Sequence, residues 1–123
     1  MDTNKPNICV DFDGVIHRYS RGWQGGMIYD DPMPGALESL KSLSTKYNVV
    51  IFTTRLNPTL REDGIAKYEK ELINWLEKYG FKQGIHYTEL TAIKPKAKLY
   101  LDDRGLRFEN WNQAVKDIDN ILG

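Results

Sequence analysis

Three short apolar runs, Ile8-Cys9-Val10, Val49-Val50-Ile51-Phe52 and Leu99-Tyr100-Leu101, each stop abruptly at a polar residue. Runs of this length and makeup, bounded by breaks, read as buried strands. Between the first two, Ala36, Leu37, Leu40, Leu43 and Tyr47 fall on one face at helical spacing, with Pro34-Gly35 opening the helix and Asn48 closing it. Strand, helix, strand with short links is the right-handed crossover unit of a parallel sheet. The carboxyl ends of the strands therefore gather along one edge, and that edge is where ligands bind in such folds.

The remaining segments fit this frame. A loop over residues 56–61, containing Pro58, leads to a long helix through Tyr79. Its apolar stripe is Ile65, Tyr68, Leu72, Trp75, Leu76 and Tyr79, and Gly80 is its stop. A short strand is expected around His86-Tyr87-Thr88, and a last helix presents Phe108, Trp111, Val115, Ile118 and Leu122 on one face. Residues 16–33 are irregular. Gly25-Gly26, flanked by Trp23-Gln24 and Met27-Ile28-Tyr29, predicts a short β-hairpin flap projecting over the strand ends. Within it, Trp23 is read as an anchor of the hairpin by burial, with stacking on a flat substrate group as its other use. His17, Arg18 and Arg21 are read as ordinary polar loop residues, with contact to a substrate as their other use. The expected fold is α/β: a three-layer Rossmann-like parallel sheet flanked by helices, in one domain over residues 1–123.

Composition excludes several classes. Lysine plus arginine and aspartate plus glutamate balance at 17 each, so nothing points to a protein held on a phosphate backbone by charge. The single cysteine, Cys9, lies inside an apolar run, which suits a buried hydrophobe and a reducing, cytoplasmic setting. The first residues are polar, and no apolar run approaches membrane-spanning length.

The strand-end residues carry the chemistry. In Asp11-Phe12-Asp13-Gly14-Val15, alternation puts the two acids on one side and Phe12 on the other. Two carboxylates so crowded are costly without a cation or a shared proton. A calcium loop is disfavoured, because Val15, Gly22 and Gln24 stand where further oxygen ligands are needed. Thr53 and Thr54-Arg55 follow the second strand, Lys94 and Lys96 precede the third, and Asp102-Asp103-Arg104 follow it. This set fits phosphoryl transfer through an aspartyl-phosphate. Asp11 attacks phosphorus, needing no base. Mg2+ is held by Asp11, the Asp13 carbonyl and Asp102, and offsets charge. Thr53 and Lys94 (or Lys96) hold phosphate oxygens. Asp13 protonates the leaving oxygen and then takes a proton from water. Thr54 and Arg55 are candidates for a second anionic group of the substrate, Arg55 alternatively for an ion pair. Asp103 supports the metal through a water or orients Lys94.

Motifs in this order, Asp11-Phe12-Asp13-Gly14-Val15, Val49-Val50-Ile51-Phe52-Thr53, Lys94-Pro95 and Leu99-Tyr100-Leu101-Asp102-Asp103, resemble the phosphatase branch of the haloacid dehalogenase superfamily. The resemblance implies Mg2+ dependence, Asp11 as nucleophile and a phosphoric monoester hydrolase. The intervals between motifs are short, which resembles the capless subgroup with open sites. The expected partner is a small phosphorylated substrate, with nucleic acid only as a phosphorylated end; no membrane is expected, and an oligomer is compatible. A receiver-type phospho-switch fits poorly, because the Asp102-Asp103 pair comes late. A catalytically silent scaffold is the remaining alternative.

Overall fold

Asn7–Asp11 extends as β1, and its three central residues, Ile8, Cys9 and Val10, are almost fully buried. Such a run has no polar face to turn to solvent and requires neighbours on both edges. It has them. In the computed structural model, which describes residues 4–56, 66–93, 97–102 and 106–122 (backbone only at 66, 67 and 102), β1 lies at the centre of a five-stranded sheet.

The other strands are β2 (Asn48–Phe52), β3 (Glu89–Thr91), β4 (Leu99–Asp102) and β5 (Leu106–Arg107). Their order is β3-β2-β1-β4-β5 and every pairing is parallel. Register fixes the faces. Ile8 pairs with Val49 and Leu99, and Val10 with Ile51 and Leu101, so these six share one side. That side meets α1 (Ala36–Ser44), α2 (Ala66–Lys78) and α3 (Trp111–Leu122) in one continuous core containing Leu40, Leu43, Leu72, Leu76, Ala114 and Ile118. Cys9, Val50 and Tyr100 form the row on the opposite face, the first two also buried. Of the three expected layers, the described residues show the sheet and this helical layer.

Several boundaries differ from the sequence reading, each for a local reason. Pro34 does not enter α1; Gly35, at φ 84°, is its N-cap. Asn48 does not close that helix but opens β2, its side-chain amide donating to the Lys5 carbonyl and Asn7 Oδ1. The expected strand at 86–88 is instead a turn in which Gly84 N–H donates to the Tyr87 carbonyl and His86 N–H to that of Lys82. The strand begins at Glu89. Phe108 precedes α3, whose first turn is capped by Asn110 Oδ1 accepting from Gln113 N–H at 2.9 Å. Gly80 does end α2, at φ 87°. Its N–H donates to the Glu77 carbonyl and that of Phe81 to Leu76, the paired bonds of a Schellman stop. Residues 57–61 of the expected 56–61 loop, and Ile65 of the expected helical stripe, lie outside the described residues.

No helix among the described residues is long and apolar enough to cross a membrane.

Candidate active site at the carboxyl edge of the sheet

Asp11 is the last residue of β1 and pairs in register with Phe52, so Thr53 follows at the same edge on the neighbouring strand. On the other side Val10 pairs with Leu101, which puts Asp102 level with Asp11 one step further. Neighbouring strands lie about 4.8 Å apart. Asp11 and Asp102 thus stand level on adjacent strands, and Thr53 lies one residue further along the same edge. Thr53 is buried, its N–H bound to the Thr91 carbonyl and its Oγ1 accepting from Arg55 N–H at 3.2 Å.

Beyond Asp11 the chain doubles back. Phe12 stays on the core side, fully buried with its ring edge-on to Trp75 at 5.2 Å. The Phe12 carbonyl accepts from both Ile16 and His17 N–H at 2.9 Å, and Gly14 N–H closes on the His17 carbonyl at 2.8 Å. A turn this tight needs Gly14 at φ 83°. Asp11 Oδ1 accepts from the Phe12 N–H at 2.9 Å, which orients the carboxylate at the strand's end.

The turn delivers His17 to Asp13. His17 is fully buried, and its Nδ1 lies 2.9 Å from Asp13 Oδ1. Its Nε2 takes the backbone N–H of Asp30 at 3.1 Å. A backbone amide only donates, so Nε2 carries the lone pair and the proton is on Nδ1, directed at Asp13. Arg55 completes the cluster. Its Nε is 3.0 Å from Asp13 Oδ2 and 3.3 Å from Oδ1, and its Nη2 is 3.1 Å from Oδ1. The guanidinium is 1% exposed, and Nη1 donates to the Gly26 carbonyl at 2.7 Å. Arg55 is therefore the ion-pair partner of Asp13. Sequence reading treated Arg55 and Asp13 separately and gave His17 no role. The available signal was the i, i+4 spacing of Asp13 and His17 across a glycine turn. The donors are unevenly shared: Asp13 Oδ1 receives His17 and two Arg55 contacts, whereas Oδ2 receives Arg55 Nε alone among the described residues.

The expected β-hairpin flap is not formed. Residues 18–31 contain no strand ladder; only an isolated bridge between His17 and Pro32 closes the base. The tip does have a primed-turn character, with Gly25 at φ 64°, Gly26 at φ 92° and Met27 N–H bound to the Gln24 carbonyl. What stops pairing beyond it is Tyr29. Its hydroxyl accepts from Arg21 N–H and donates to the Gly22 carbonyl, each at 2.8 Å, occupying groups a ladder would use. The result is a closed surface loop sealed by its own side chains. It is bolted to α2, where Trp75 Nε1 donates to the Asp30 carbonyl and Tyr79 Oη to Asp31 Oδ1. Trp23, expected to anchor by burial, is 48% exposed.

Thr54 is exposed in a single 3-10 turn, Thr54–Leu56. Arg18 and Arg21 are exposed, Arg21 lying over the Tyr29 ring at 4.4 Å. Lys94, Lys96, Asp103, Arg104 and the Asp102 side chain lie outside the described residues. Among the described residues, no three His, Cys, Asp or Glu side chains form a metal-holding group. The donors at this edge are nonetheless hard oxygens, the Asp11 carboxylate and the Asp13 carbonyl. Their chemistry suits Mg2+. Comparison with family profiles, with curated proteins and with solved structures returns no match.

Proposed function

We propose that this chain is a magnesium-dependent phosphatase of the haloacid dehalogenase type, capless, acting on a phosphomonoester through an aspartyl-phosphate. The observation that carries the reading is register: Asp11 at the end of β1 and Asp102 at the end of β4 stand level, with Thr53 one residue past the end of β2 at the same edge.

Asp11 attacks phosphorus and the bond to the leaving oxygen breaks. Asp13 gives that oxygen a proton, then takes one from the water that attacks the aspartyl-phosphate, releasing inorganic phosphate and restoring Asp11. Asp13 Oδ2, which takes Arg55 Nε alone among the described residues, is the oxygen suited to carry the proton, while His17 and Arg55 Nη2 hold Oδ1. Thr53 steadies a phosphate oxygen, with Lys94 (or Lys96) assigned the same task, and Asp103 would support the metal through a water or orient Lys94. Bound magnesium would offset repulsion between these acids and the dianionic phosphate, held by Asp11, the Asp13 carbonyl and Asp102.

One observation favours a second, non-catalytic reading: the donors gathered on Asp13 would also suit a purely structural ion pair. Hydrolysis of p-nitrophenyl phosphate, with and without Mg2+, separates the two. Turnover is expected only with the metal and is expected to vanish in Asp11→Asn. Turnover that survives the substitution, or wild-type protein inert towards every ester tried, would sink the phosphatase.

A further inference from the structure

Two of the three tryptophans are spent on the fold. Trp75 and Trp111 are buried, and their indole N–H groups donate to the Asp30 and Val15 carbonyls. Trp23 differs in both respects. It is 48% exposed, and among the described residues its indole N–H donates to no group.

Its position is not random. The Arg55 guanidinium carbon lies 5.2 Å from the Trp23 ring centroid, so one indole face rests on the cation that pairs with Asp13. Tyr19 borders the same guanidinium at 6.0 Å, and Met27, 62% exposed, follows on the same loop. The loop is held in shape by Tyr29 and by its bonds to α2, so the indole is presented already ordered. A rigid aromatic plane of this kind loses little entropy when a flat group stacks on it.

Resting on the phosphatase reading, we infer that Trp23 is a stacking platform for the base of a nucleoside monophosphate. In that reaction Asp13 protonates the leaving oxygen, so the leaving group departs on the Asp13 side. The exposed ring on that side is Trp23, one guanidinium beyond the acid. A ring attached directly to the phosphate oxygen stays too close to phosphorus to cover it. A base carried on a ribose has the reach, and the unengaged indole N–H, directed outward in the ring plane, can donate to the sugar.

The test uses 2-aminopurine riboside 5′-monophosphate, whose fluorescence is quenched by stacking, titrated onto full-length Asp11→Asn protein so that nothing is turned over. Saturable quenching is expected, weakened about tenfold or more in Asp11→Asn/Trp23→Ala and largely retained with Trp23→Phe. Equal quenching with and without Trp23, or none at all, overturns the proposal. In the Asp11-intact enzyme, Trp23→Ala is expected to lower kcat/KM for adenosine monophosphate about tenfold more than for glycerol phosphate. Equal losses on the two esters overturn the platform and leave the phosphatase standing. Intact quenching in a protein that hydrolyses no ester does the reverse.

Discussion

At the scale of single residues, Arg55 decides most. Its guanidinium is buried, and a buried charge is tolerable only when paired and hydrogen-bonded. Arg55→Met removes the counter-ion of Asp13 and the donor of the Gly26 carbonyl together. A loss of about 3 kcal/mol in denaturant-derived stability is expected. Arg55→Lys keeps the charge but not the planar fork, so it should fall between the two. A variant as stable as wild type would show that the pair is not held in solution. Little of this was legible beforehand. Asp13 and Arg55 are 42 positions apart, and only the fold reveals that the turn after β1 and the turn after β2 face each other.

At the scale of elements, the segment between His17 and Pro32 is the instructive one. Its glycine pair foretold a turn and the turn is present, yet no hairpin follows. A phenol hydroxyl inserted between two chain segments cannot be seen in hydropathy or spacing. Tyr29→Phe tests this account. Losing the hydroxyl frees the Arg21 amide and the Gly22 carbonyl. Amide exchange at Arg21 should accelerate several-fold, with a stability loss of about 1 kcal/mol. Unchanged exchange would mean that the loop is shaped by something else. The strands at the centre were easier to read, because β1, β2 and β4 are apolar runs that stop at or just before a polar residue. β3 was misplaced and β5 missed because they have three and two residues, lie at the sheet's edges and lack an apolar run.

For the molecule as a whole, stability should depend on acidity through His86. Burial first, then the charges of Lys41 and Lys82, pull its pKa below the ordinary histidine value. The unfolded chain therefore binds its proton at higher pH than the folded one. His86 contributes its full stability above about pH 6.5 and loses it as pH falls through the lower, folded value. The thermal midpoint should drop as pH is lowered through this window, less steeply in His86→Gln. Identical slopes would remove His86 from the account. The sheet order supplies the wider context: with β1 central, its carboxyl end is flanked by Asp102 at the end of β4 on one side and by Thr53, just past β2, on the other.

One guanidinium ties two stretches of chain together: it holds the Asp13 carboxylate in the reversal after the first strand, and on the loop it holds the Gly26 carbonyl and lies against the Trp23 ring. It works as a rivet. Anything that prised the tip upward would strip a carbonyl of its donor and unseat the indole in the same movement. The loop is thus pinned as a fixed wall rather than hung as a door.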